Sequence, residues 1–315
     1  MMATATAVII LLGIISGSVL AGDFHTKSIE IVAWASPGGG SDRMCRAFAK
    51  SIEGVLHEKV YVVNKKGGGG SVGMAYVQNK AANGYTLLGV TNNLIFTPLT
   101  KPELKYSAKD FTPIIMWGFD VKSIAVATNG PYKTIEDLVN AAKQKPGGVK
   151  IGTFGLGTDD HITGYLLGRE AGTKFGFVPF DSGGEQLAAL LGGHIGATIA
   201  EIQEVGVQVD AGKVRILALA TEQRLYGLPG VPTLREKGWN VVVPKFRGLV
   251  VKKGTPSEAV NYLISRSLMA IQTPTFKNYL NKSMIEPYFL VGEGFAELIQ
   301  NQEKTFRKVL KELSF

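Results

Sequence analysis

The chain has 315 residues and a single cysteine, Cys45, so no disulfide and no CxxC metal knuckle is available. Histidine is scarce at four residues, and neither an HExxH pair nor an EF-hand loop occurs, so no metal centre and no cofactor is expected. The net charge is +8, yet no run of Lys and Arg interleaves with aromatics; the basic residues are spread as on a solvated surface, which argues against nucleic acid as a partner. That charge suits a small anionic ligand instead. No apolar run reaches the roughly 20 residues that span a bilayer; the longest, Ala7 to Leu20, is about 14. Short-period repeats and low-complexity segments are also missing.

What is present begins with an export signal. Met1 to Ala21 carries no charged side chain, and its apolar run ends in Val19-Leu20-Ala21, so the mature chain is expected to start near Gly22. A membrane anchor is the alternative, because Lys and Arg are absent near Met1. With 45% hydrophobic and 19% charged residues over this length, two globular domains are expected.

The stretch Ile31 to Ala47, IVAWASPGGGSDRMCRA, reads as a strand breaking at Ser36-Pro37 into a glycine turn and a helix. Ser41 or Asp42 is the expected N-cap, and unpaired N–H groups with the positive end of the helix dipole would make an anion cradle. A strand follows at Lys59 to Asn64, then Gly67 to Gly73, a helix from Ser71 to Ala82, and a strand Tyr85 to Val90 feeding a polar loop at Thr91-Asn92-Asn93. Phe111 to Thr128 reads as extended chain passing between units, and Thr134 to Lys143 as a helix. Strand Lys150 to Phe154, the turn Gly155 to His161 and a helix to Ala171 repeat the opening design. Strands at Phe177 to Phe180, Ala197 to Ala200 and Val214 to Thr221, a helix Glu185 to Leu191, an apolar return at Val241 to Val251 and helices Ser257 to Ala270 and Gly294 to Leu313 complete an α/β grammar with largely parallel sheets.

Two patterns tempt another reading. Gly68, Gly70 and Gly73 satisfy GxGxxG, but the strand that should supply a ribose-binding acid ends at Asn92 and Asn93. Gly69, Ser71 and Gly73 satisfy GxSxG, which makes a secreted α/β hydrolase with Ser71 as nucleophile, Asp159 or Asp181 as acid and His194 as base the alternative function. A run of four glycines and a serine produces both patterns cheaply. Cys45 is expected to be a buried apolar residue, and His25 and His57 to be exposed. His194 reads as a helix-terminating residue, whereas His161, inside a helix after a glycine turn, either orients the loop or donates to a ligand. Asp159 and Asp160 are partners of the helix dipole.

The pieces SPGGGSDRMCRAFA, VYVVNKKGGGGSVGMAYV, ANGYTLLGVTNN, IGTFGLGTDDH, FVPFDSGGEQLAALLGGHIGA, EIQEV, DAGKVRILALAT, LPGVPTLREKGW and FRGLVVKKGTP, in this order and spacing, resemble the periplasmic solute-binding proteins of tripartite tricarboxylate transporters, the Bug or TctC-like receptors. The resemblance implies a two-lobe α/β fold of the type II periplasmic-binding class, each lobe a mostly parallel sheet flanked by helices. Lobe one would comprise 22–122 and 245–315, and lobe two 123–244. It also implies a non-catalytic receptor, taken as a monomer, that holds a small organic carboxylate in the cleft and passes it to membrane transporter subunits. Carried over, the contacts are Ser36, Gly38, Gly39 and Ser41 of the first loop, Asn92 and Asn93, then Gly157, Thr158, Asp159 and His161 of the opposing loop, with Phe180, Asp181, Ser182 and Glu201; Trp34, Phe180 and Phe246 are candidate apolar walls. Asp159, Asp160 and Glu201 depart from the serine, threonine or amide usual in relatives. If they entered the cleft they would repel a plain polycarboxylate and favour an amine-bearing or aromatic acid.

Overall fold

The computed structural model describes residues 27–313 apart from 57 and 181. The expected leader, residues 1–21, and His25, His57 and Asp181 lie outside the described residues. The chain runs β1 (Ile29–Ala33), α1 (Gly40–Glu53), β2 (Val60–Asn64), α2 (Ser71–Gln78), β3 (Thr86–Val90), α3 (Asn93–Thr100) and β4 (Phe111–Asp120). It continues with β5 (Lys122–Ala127), α4 (Ile135–Gln144), β6 (Lys150–Thr153), α5 (Asp159–Glu170), β7 (Gly176–Pro179), α6 (Gly183–Leu191), β8 (Ala197–Glu201), α7 (Ile202–Asp210) and β9 (Val214–Leu219). It ends with β10 (Lys245–Lys252), α8 (Ser257–Ala270), α9 (Pro274–Lys282), β11 (Glu286–Val291) and α10 (Gly292–Glu312).

Two sheets result, ordered β11-β4-β10-β3-β1-β2 and β7-β6-β8-β5-β9. Both are mixed rather than mostly parallel. Parallel pairing is confined to β2-β1-β3 and β7-β6-β8, where each strand is followed by a helix that crosses back. The strands at and next to the crossing, β10, β4 and β5, pair antiparallel with their neighbours. The apolar stretch Phe111 to Thr128 is thus two strands in different sheets, separated only by Val121.

Packing explains the elements that the sequence pattern did not suggest. Asn93–Thr100 is a helix, not a polar loop, because Leu94, Ile95 and Phe96 are buried and the Phe96 ring meets Phe306 of α10 at 4.3 Å. Phe276 of α9 packs edge-on against Trp117 and Phe48, both fully buried, and this cluster fastens α1 and α9 to the first sheet. Cys45 is buried there, and burial pushes its thiol up to about 12, so it is a packing residue and not a nucleophile.

Candidate functional site

The loops after β1 and β6 each carry a left-handed glycine just before a helix, and the two turns share one construction. Gly38 has φ +79° and its N–H donates to Asp42 Oδ2 at 2.8 Å; Gly157 has φ +73° and its N–H donates to His161 Nδ1 at 3.0 Å. Asp42 and His161 are both the third residue of their helix, so each staples the turn from four residues ahead. The N-caps are Gly39 and Thr158, neither with a side-chain capping bond. Ser41 and Asp42 are therefore not the caps expected; they sit in the first turn, and helix geometry leaves the N–H groups of that turn without intrahelical partners.

Both staples are electrostatically consistent. Burial opposes the Asp42 carboxylate, but Arg46, the Gly38 N–H and Asn64 win and hold its pKa below the usual range. Burial lowers the pKa of His161, which keeps the imidazole neutral and Nδ1 an acceptor; its ring packs on Phe177 at 4.5 Å. Between the two roles open for His161, the geometry shows the loop-orienting one.

Behind both turns lies a buried chain of charges on the crossing strands. Arg247, 3% exposed, donates from Nε to Asp120 Oδ1 at 2.6 Å and from Nη1 to the carbonyl of Gly40 at 3.0 Å, so it underpins the start of α1. Two residues past Asp120, Lys122 is 1% exposed, with its ammonium 2.7 Å from Glu201 Oε1, 3.0 Å from Asp159 Oδ2 and bonded to Asp160 Oδ1. Lys245 pairs with the same Glu201 oxygen, and Asp160 Oδ2 accepts from the N–H of Phe154 at 3.0 Å. Burial disfavours the Lys122 ammonium, yet the three carboxylates hold its pKa well above an ordinary lysine. Glu201 is likewise kept well below the carboxylate range, Lys122 and Lys245 outweighing its burial. Asp160 moves up, because burial and its acidic neighbours exceed the pull of Lys122. One oxygen each from Asp159, Asp160 and Glu201 falls within 4.8 Å, a spacing that suits a cation, and the Lys122 ammonium takes that part.

The arrangement revises several expected contacts. Asn92 is fully buried, with Nδ2 donating to the Pro244 carbonyl and Oδ1 accepting from the Phe246 N–H, so its amide fastens the crossing. Phe246 is fully buried against Phe295 and is core, not cleft wall. Asn93 Nδ2 and Thr97 Oγ1 both donate to the Gly69 carbonyl, which makes the glycine-rich stretch a turn pinned by α3. Ser182 caps α6 by accepting from the Glu185 N–H, and Phe180 is half-buried beside Gly152. Glu201 and Asp159 are joined by Lys122, and Ser36, Gly38, Gly39 and Ser41 lie together at the start of α1, as Gly157, Thr158 and Asp159 do at α5.

Lys122, Lys245, Asp120 and Arg247 were not foreseen. The signal was there: Asp120, Lys122, Lys245 and Arg247 are charges set in apolar stretches, and Lys245 and Arg247 stand at i, i+2 in β10, a spacing that puts both on one face. The ladders then set Lys245 opposite Asp120 and Lys122 opposite Glu201.

Residues 44–315 match the family model described as the tripartite tricarboxylate transporter family receptor, TctC. The chain belongs to the TctC family. A Cupriavidus necator protein named for its place in the gbd 5′ region is 30% identical over 290 residues, covering 92% of this chain and 88% of that one. Among solved structures, a TctC solute-binding protein from Polaromonas is 30% identical with a TM-score of 0.77, covering 91% and 99% of the two chains. An R. palustris protein solved with adipate is 24% identical with a TM-score of 0.83, covering 92% and 98%. The two sheets are therefore the two lobes of a TctC-type α/β fold. TctC proteins are periplasmic solute-binding receptors, not enzymes, and the hydrolase alternative falls with that. Ser71 opens α2 beside the pinned glycine turn, while His194 is exposed at the far end of α6.

Proposed function

We propose that this chain is an exported periplasmic receptor, with residues 1–21 as its signal, that captures a small organic carboxylate between the lobes and delivers it to the membrane subunits of a tripartite transporter. The lobes divide at Val121 rather than at 122/123, because Lys122 already belongs to β5 of the second sheet, and again at 244/245; the receptor acts as a monomer. The observation that carries the reading is that two uncapped helix N-termini, one from each sheet, are anchored on the same crossing segment, α1 through Gly40–Arg247–Asp120 and α5 through Asp159 and Asp160 on Lys122. Each offers free N–H groups and a positive dipole end, worth about 0.3–1 kcal/mol when exposed and up to about 2 when partly buried. Neither suffices alone, but together with apolar contacts they reach the roughly −8 kcal/mol of a micromolar site. The adipate held by the R. palustris relative has two carboxylates, a natural match to two such ends.

The acidic residues no longer argue against a plain carboxylate. Lys122 and Lys245 hold Asp159, Asp160 and Glu201 in a buried network, so the anion meets backbone N–H groups rather than bare carboxylates. Titration calorimetry against dicarboxylates, tricarboxylates, acidic amino acids and aromatic acids tests the proposal; micromolar heat with one class is expected, and silence across the panel refutes it. Gly39→Val narrows it, because the new Cβ would lie 3.0 Å from the Ser36 carbonyl and 3.1 Å from Ala35 Cβ, distorting the cradle; unchanged affinity removes that loop from the site.

A further inference from the structure

At the other end of β4, away from both helix N-termini, a cavity of about 620 Å³ opens between β4 and α10. Its cause is topological. Strand β11 pairs with β4 only over Ile115–Phe119, so among the described residues no strand lies beside the outer edge of Phe111–Pro113, and α10 passes over the gap. Phe111, Pro113, Ala296 and Ile299 make an apolar floor, and Lys109, Lys253, Lys304 and Arg307 ring it. The only acid in the lining, Glu303, pairs with Arg307 at 2.6 Å, which leaves the three lysines uncompensated within the lining.

We propose that this groove docks an acidic segment of the transporter's membrane subunits, with carboxylates against Lys109, Lys253 and Lys304 and an apolar side chain seated on Phe111 and Ile299. The inference rests on the receptor reading above for the identity of the partner. A small free anion fits the groove poorly: the four basic side chains are all exposed, and an exposed ion pair yields about 0.2–1 kcal/mol, too little to localise a small molecule. A protein segment engages several cations at once and adds apolar burial, the combination that steers and then holds a partner. Pro113 lacks an N–H at the open edge, so the segment docks through side chains rather than as an added strand. Nine residue steps along β4 put the groove roughly 30 Å from the crossing, so docking does not compete with ligand capture.

The test is binding of the ligand-free, full mature chain to nanodiscs holding the two membrane subunits of the transporter encoded in the same genome, with subunit-free nanodiscs of the same anionic lipid as control. Lys109→Glu/Lys253→Glu/Lys304→Glu is expected to lose at least tenfold in affinity. Ala296→Trp, which fills the groove and keeps every charge, is expected to lose as much, with cleft ligand affinity and melting temperature unchanged in both. Wild-type affinity in either variant overturns the proposal, as does equal binding to subunit-free nanodiscs, which would indicate a lipid surface. If the triple variant does not fold, Ala296→Trp and the single Lys253→Glu decide. A cleft that takes no carboxylate defeats the receptor reading, while docking, measured without ligand, is judged separately.

Discussion

Replacing Lys122 by Met puts the buried charge network to a quantitative test. The side chain is 1% exposed and its ammonium touches Asp159, Asp160 and Glu201, leaving only Lys245, on Glu201, as a counter-charge once it is gone. Breaking a buried pair by removing one partner costs about 3–5 kcal/mol, because the remaining charge stays desolvated. At about 2 °C per kcal/mol for a chain of this size, the melting temperature at pH 7 falls roughly 6–10 °C. The sign of the pH dependence follows from burial. Burial already pushes the Asp160 carboxyl up, and without Lys122 it rises further above the unfolded value of about 3.9, so the penalty is full above the raised pKa and disappears as pH falls and Asp160 is protonated. Calorimetric melting at pH 7 and pH 4.5 should therefore show a wide gap from the wild type that narrows in acid. A variant that melts within about 2 °C of wild type at pH 7, or a gap that widens on acidification, refutes the assignment of Lys122 as the ion that holds the three carboxylates.

Other consequences are simpler to check. Because burial depresses the pKa of His161, the Gly157 staple is intact above the unfolded value of about 6.5 and is lost as pH falls through the lower folded value, so carboxylate affinity measured by calorimetry should weaken in that window; His161→Ala should weaken it at all pH values. Arg247→Lys keeps a charge for Asp120 but cannot also reach the Gly40 carbonyl in the same geometry, and a roughly tenfold loss of affinity is expected with the fold retained by circular dichroism. Glu312 of α10 pairs with Arg169 of α5 at 2.9 Å and accepts from Tyr165 at 3.3 Å, joining elements packed on different sheets. The pair is solvent-exposed, so Glu312→Gln should change stability by less than about 1 kcal/mol; a larger shift in a chemical-denaturation midpoint would mark it as a strong clasp instead.

How much was legible in the sequence depended on where each residue's partners lie. The strand–glycine–helix turns at Gly38 and Gly157 were readable because their grammar is local: a strand, a residue with positive φ and a helix follow one another in the chain. The roles of Asp42 and His161 were only half readable, since each acts on a backbone N–H four residues back, a contact set by turn geometry rather than by residue type. Lys122 with Glu201 and Arg247 with Gly40 span long separations in the chain, and no local pattern announces which carboxylate faces which cation. Asn92 is a further case. A polar residue after a strand reads as a ligand contact, and nothing local reveals that the antiparallel return of β10 bonds both ends of its amide. Pro98 and two asparagines likewise disguised α3, whose helicity comes from burial of Leu94, Ile95 and Phe96 rather than from propensity.

The proposed site holds a carboxylate ligand at once by the N-termini of α1 and α5. Backbone amide chemical shifts of the ¹⁵N-labelled chain, followed during titration with the dicarboxylate that gives the strongest calorimetric response, test it most directly. Saturable shifts are expected at Gly40 and Ser41 together with Asp159 and Asp160, all with one dissociation constant. Shifts confined to one of the two turns, or found only at residues remote from both, would contradict it.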